Sequence, residues 1–138
     1  MKKFFIIPVL LLLNLSVFAH DIFNAVTTND IAAVKYLVNK GTNLNAVNSN
    51  GQTPLMLAVN ANNTRLADFL IEKDADINLQ DKNGSTALVY AIKIQNLKLV
   101  KILLSHGAQT NMHDKQNRTA LDYARQQNNA ELTALFMQ

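Results

Sequence analysis

The chain has no cysteine among its 138 residues, only four glycines and two prolines, and a charged fraction of just 17%. Without cysteine there is no disulfide framework, no thiolate metal cluster and no lipidated cysteine near the N-terminus. With glycine so scarce, no Gly-rich phosphate-binding loop is present. Charge of one sign is also in short supply: thirteen basic residues face ten acidic ones, a formal charge of +3. Two of the thirteen, Lys2 and Lys3, stand at the extreme N-terminus, and without them the balance is +1. That excess is too small for the broad basic field of non-specific nucleic-acid binding. The hydrophobic fraction of 49% is that of a globular chain, and the length suits one domain.

The first recognisable pattern is N-terminal. Met1-Lys2-Lys3 precedes an apolar run from Phe4 to Leu13, followed by Asn14-Leu15-Ser16-Val17-Phe18-Ala19. Val17 and Ala19 suit the two positions that a signal peptidase reads. Pro8, Asn14 and Ser16 interrupt the run, whereas a spanning helix needs about 20 predominantly apolar residues. The pattern predicts an export signal over residues 1–19, cut after Ala19. The expected product is a periplasmic or secreted chain, His20–Gln138, that does not insert into a membrane.

A single period organises the rest, the interval from Thr53 to Thr86 and again from Thr86 to Thr119. Gly51-Gln52-Thr53-Pro54-Leu55 returns as Gly84-Ser85-Thr86-Ala87-Leu88 and again as Asn117-Arg118-Thr119-Ala120-Leu121. Leu37, Leu70 and Leu103 keep the same interval, as do Asn45, Asn78 and Asn111, and Ala58, Ala91 and Ala124. Four columns at one spacing mark a repeat architecture. Within each period Thr53, Thr86 and Thr119 suit helix N-caps, and Pro54 falls at a first helical position. Apolar residues then recur at helical spacing, as in Leu55, Ala58, Val59, Leu66, Ala67, Phe69, Leu70 and Ile71. Gly41 and Gly107 suit left-handed C-caps. Helix pairs this short bury their apolar faces only by stacking on neighbours.

Thr53-Pro54-Leu55-Met56-Leu57-Ala58 and the closing phrase Leu103-Leu104-Ser105-His106-Gly107-Ala108-Gln109-Thr110-Asn111 resemble the ankyrin repeat. The resemblance implies an all-α solenoid of helix–turn–helix units with β-turn tips, about four repeats including shortened caps. The expected units are residues 20–46, 47–79, 80–112 and 113–138. Departures are visible. The family's His after Thr-Pro-Leu is Met56, Val89 and Asp122 here, and Asp74 takes the place held elsewhere by Gly41 and Gly107. Asn29, Asn62, Gln95 and Asn128 replace the usual glycine between paired helices. These changes bear on stability rather than on fold.

A search for chemistry gives little. Asp81 and Asp114 recur at the same period and read as turn residues bonding the local backbone. His106 and His113 have no third ligand at metal-binding spacing. We therefore expect no enzyme, no cofactor and no metal. The resemblance implies instead a monomeric protein-binding module, working through its tips and the exposed side of each first helix. Carried over position by position, the tip residues are Ser49, Asn50 and Gln52, then Lys82, Asn83 and Ser85, then Lys115, Gln116 and Arg118. The first-helix positions are Asn60 and Ala61, Lys93 and Ile94, and Gln126 and Gln127. Lys82, Lys93, Lys115 and Arg118 would form a basic patch around an apolar Ile94, suited to an acidic surface on a protein partner, with Lys98 and Lys101 on the opposite face. An inhibitor, an immunity-type partner and a protector of an exported enzyme all fit. An effector acting in another cell, or an exported enzyme or metal-dependent protein, are the rival readings.

Overall fold

The computed structural model describes residues Asp21–Gln138; the expected export signal and its cleavage site lie outside the described residues. Four helix pairs follow one another: α1 (Ile22–Thr27) with α2 (Ile31–Asn39), α3 (Pro54–Asn60) with α4 (Thr64–Glu72), α5 (Ala87–Lys93) with α6 (Leu97–Ser105), and α7 (Ala120–Gln126) with α8 (Ala130–Ala134). No strand occurs among the described residues. The fold is the expected all-α solenoid. No described helix is long and apolar enough to cross a membrane.

Each boundary has a local cause. The Thr53, Thr86 and Thr119 hydroxyls accept the backbone N–H groups of Met56, Val89 and Asp122, and so cap α3, α5 and α7. Asp122 also answers the missing histidine, because its Oδ2 accepts from the Thr119 backbone N–H at 2.9 Å and completes a capping box. The second helices are capped by Asp30, Asn63, Asn96 and Asn129, whose side chains each accept the N–H three residues on. The residue before each cap, Asn29, Asn62, Gln95 or Asn128, is left-handed, with φ between 52° and 57°. That reversal folds the second helix back onto the first. Asp74 is left-handed too, at φ 64°, and makes the same pair of bonds as Gly41 and Gly107. Its N–H donates to Ile71 O and the next N–H, of Ala75, to Leu70 O, which together form a Schellman motif.

The first helices pack in one continuous row, α1 on α3 on α5 on α7, while α4 and α6 in the outer row meet more sparsely. A stack whose inner row is the tighter bends toward that row, so the first-helix face is the concave one. Between the rows lies a single core of Leu55, Val59, Leu66, Leu70, Leu88, Ile92, Leu99 and Leu103, all fully buried. Burying each such side chain is worth about 1.5–3 kcal/mol. In the leucine column, Leu70 and Leu103 are buried and Leu37 is half-buried. Only Leu37 lacks a described repeat on one side.

Polar stitches run between repeats outside the core. Asn45 Oδ1 accepts the Asp76 N–H, and Asn78 Oδ1 accepts the Gln109 N–H, each at 2.8 Å. At the tips, Lys82 N–H donates to Asn50 O and Lys115 N–H to Asn83 O. The tips approach so closely that a Cβ on Gly84 would stand 2.7 Å from Asp114 Cα, and one on Gly51 2.9 Å from Lys82 N. In the same column Asn117 is left-handed but exposed, with no following tip among the described residues. Gly51 and Gly84 are thus required twice, for their positive φ and for the space a side chain would take.

Candidate functional site

The tips of the last two repeats and the inner face of α5 and α7 enclose a recess of about 280 Å³. Its floor rests on two carboxylates held inward by the turns that contain them. Asp81 Oδ1 accepts the N–H groups of Asn83 and Ser85, and its Oδ2 accepts the Tyr90 hydroxyl at 2.6 Å. One period later Asp114 Oδ1 accepts the N–H groups of Gln116 and Arg118. Its Oδ2 accepts from the Tyr123 hydroxyl and from Arg118 Nε and Nη2. Asp114 is thereby saturated with donors, whereas Asp81 holds one donor on Oδ2 and two on Oδ1. Burial alone would raise the pKa of Asp114, but the bonds from Tyr123, the two backbone amides and the Arg118 side chain outweigh it and hold the value at about 2. Burial, and then the bond to its aspartate, pushes Tyr90 and Tyr123 each up to about 12.

The tyrosines also link repeats. Gln52, on the preceding tip, donates from Nε2 to the Tyr90 hydroxyl at 2.9 Å, and accepts at Oε1 from Asn48. Above the floor stand the cations. Lys93 Nζ lies 4.9 Å from the Tyr123 ring centroid and 5.9 Å from that of Tyr90, both within cation–π range. The Arg118 guanidinium stacks 4.4 Å from the Tyr123 ring centroid while bonded to Asp114.

The model of the family described as ankyrin repeats (3 copies) matches residues 21–81 and 62–138. The chain belongs to the ankyrin-repeat family. No curated protein matches it. Ankyrin repeats are protein–protein interaction modules, and proteins built from them are in general non-catalytic. In this ankyrin stack the surface positions named from the family pattern are distributed unevenly.

Asn50, Asn60, Lys82, Asn83, Lys93, Lys115 and Gln116 are exposed, and Lys82, Asn83, Lys115 and Gln116 stand together on adjacent tips. Four positions depart from the sequence expectation. Ser85 is buried, 4% exposed, because its N–H and C=O both bond Asp81 across the base of the tip. Ile94 is half-buried against the core as the C-cap of α5, so it belongs to the fold and is no free apolar anchor. Arg118 is occupied by Asp114, so the basic patch lies over acidic residues, and the cations of the patch that have no ion pair among the described residues are Lys82, Lys93 and Lys115. Gln52 is half-buried in its bonds to Tyr90 and Asn48.

On the other face Lys98 is exposed and Lys101 pairs with Glu131 at 3.5 Å. His106 Nδ1 lies 2.9 Å from Ile102 O of its own helix, and the His113 carbonyl accepts from Gln80. Among the described residues no group of three or more His, Asp or Glu side chains gathers as for a metal. Tyr90 and Tyr123 were missed by the position-by-position reading. Their signal was present, since they are one period apart and each follows an aspartate of the Asp81/Asp114 column at the same distance along the chain.

Proposed function

We propose that this protein is a non-catalytic recognition module of the cell envelope or its surroundings, which grips a protein partner through the turn tips and the concave first-helix face. The observation that carries this reading is the recess between the last two tips. It is walled by exposed lysines and amides and floored by two tyrosines whose hydroxyls are already engaged. Tyr123 is buried, but the half-buried Tyr90 and the exposed lysines of the recess can meet a partner, and tyrosine is among the residues that dominate binding hot spots. Export is supported by the basic, apolar and small-residue succession over residues 1–19.

Two experiments test the reading. N-terminal sequencing of the protein recovered from the periplasm or medium should begin at His20; an intact Met1 in the membrane fraction refutes export by cleavage. For recognition, the partner is captured from an envelope fraction with wild-type protein, and its association rate is measured on purified components. Lys82→Glu with Lys115→Glu should slow association roughly tenfold at low salt, and less at high salt. Lys98→Glu, on the outer row, should leave the rate unchanged. Equal slowing by both removes the concave face from the interface.

A further inference from the structure

We infer that the recess between the last two tips receives a single Asp or Glu side chain from an extended acidic segment of the partner, with the Lys93 ammonium as its anchor. This rests on the concave-face reading above and specifies what that face recognises. The argument begins with which charges are spent. Asp81 and Asp114 have their oxygens bonded by tyrosine hydroxyls, backbone amides and, at Asp114, Arg118, and both are turned into the base of the tips. Lys93 has no ion pair among the described residues; neither have Lys82 and Lys115. The recess is lined by Lys93, Lys115 and Arg118 against Asp81 and Asp114; with Arg118 spent on Asp114, two lysine charges stand against the one carboxylate of Asp81, whose donors are all neutral, and the balance at the mouth is positive.

Of the three lysines, Lys93 is the one whose place is best defined. A lysine ammonium on a free stem loses rotamer freedom when it is captured. Here two ring faces, fixed by their hydroxyl bonds to Asp81 and Asp114, hold it over the floor before any partner arrives. An ammonium so placed still has N–H donors directed away from the rings, and a carboxylate is the group that completes it. The two Asp–Tyr pairs are thus positioning residues for Lys93. The size of the recess, about 280 Å³, admits one or two side chains rather than a folded element. Asn83 and Gln116 flank it with exposed amides that can donate to and accept from a peptide backbone. Asn50, at the corresponding place on the preceding tip, extends the amide row, but that tip carries Ser49 where the later two carry lysine. The acidic residues of the segment should accordingly lie over the C-terminal half of the stack.

The test uses blocked peptides, so that no terminal carboxylate contributes: N-acetyl hexaglutamate amide, its hexaglutamine analogue, and inorganic phosphate as a separate arm. The side-chain Cε–Hε signals of the lysines are followed by NMR in wild type, Lys93→Met and Lys93→Arg, with circular dichroism checking the fold of each. Methionine keeps most of the apolar stem over the tyrosines and removes the charge. Hexaglutamate should shift the Lys93 signals of wild type and hexaglutamine should not. Lys93→Met should weaken hexaglutamate binding at least about tenfold, and Lys93→Arg should stay within about threefold of wild type. Binding of Lys93→Met within twofold of wild type overturns the inference, as does equal binding of hexaglutamine, or binding of phosphate without the peptide. If Lys93→Met leaves partner capture intact while Lys82→Glu with Lys115→Glu abolishes it, the anchor is wrong and the concave-face reading stands. If none of these changes affects capture, both fall.

Discussion

Replacing Gly84 and Gly107 by alanine separates backbone strain from the contact between tips. Both glycines are left-handed, at φ 80° and 88°. An L-residue in that region costs about 1–2 kcal/mol, and the stiffer unfolded chain returns about 0.4–1 kcal/mol of it. Around Gly107 a new Cβ meets nothing within 4 Å, so Gly107→Ala should destabilise by only about 1 kcal/mol. At Gly84 the same methyl would stand 2.7 Å from Asp114 Cα and 3.1 Å from Lys115 N. Neither atom can retreat cheaply. Lys115 N–H is bonded to Asn83 O and Asp114 N–H to Arg118 O, each at 3.0 Å, and the Asp114 side chain anchors Tyr123. Forcing a group into a closed contact costs a further 1–3 kcal/mol or so, which brings Gly84→Ala to about 2–4 kcal/mol. Asn117→Gly supplies the third arm: its site is left-handed and exposed, so removing the side chain should change stability by less than about 1 kcal/mol, in the stabilising direction. Urea unfolding followed by circular dichroism, extrapolated linearly to water, reads all three. If Gly84→Ala and Gly107→Ala lie within half a kilocalorie of each other, the tips are not in the contact described.

Asp74→Gly should stabilise by about 1 kcal/mol, since it keeps the Schellman bonds and removes the left-handed strain; unchanged stability in the same urea assay would count against it. Leu103→Ala should cost about 2–5 kcal/mol, because the side chain is fully buried between repeats, and a loss under half a kilocalorie would misplace it. The pH dependence has a definite sign. The pKa of Asp114 is depressed to about 2, so its contribution to stability is complete above the ordinary aspartate range and drains away as pH falls from about 4 toward 2. Asp114→Asn should flatten that part of an acid-unfolding curve, and an unaltered acid limb would show that the carboxylate is not held as described. Tyr90 and Tyr123, both raised to about 12, contribute stability that is whole below pH 10 and is lost as pH rises toward 12. An alkaline absorbance titration should show two phenols ionising late.

The repeat is legible in the sequence because the same steric problem recurs once per period and is solved with the same residue types. A threonine that caps, an alanine where helices touch, a leucine that fills the inter-repeat space and an asparagine that bonds the next unit each answer a demand of local geometry. The spacing of those answers gives the stack. Asn29, Asn62, Gln95 and Asn128 were legible for the same reason, as left-handed residues standing where glycine is usual. The residues that follow them, Asp30, Asn63, Asn96 and Asn129, form a capping column as regular as the threonines, but one whose mixed Asp and Asn identities do not stand out in the sequence.

The binding face was only partly legible, and the physical reason is that a side chain's availability depends on partners far along the chain. Ser85 looks like any exposed tip residue until the Asp81 carboxylate draws its backbone inward. Ile94 reads as an apolar residue beside Lys93, yet as the C-cap of α5 it is turned onto the core. Arg118 counts as a free cation in the sequence and as half of an ion pair in the fold. Most of all, the pairing of Tyr90 with Asp81, and of Gln52 with Tyr90 in the next repeat, follows neither helical nor strand periodicity. The sequence by itself determined the period, the caps and the buried columns, because these obey short-range geometry repeated at a fixed interval. Only the stacking of one repeat on the next decided which charges are spent and which lysine is held over two rings, because those distances exist only once the tips have closed on each other.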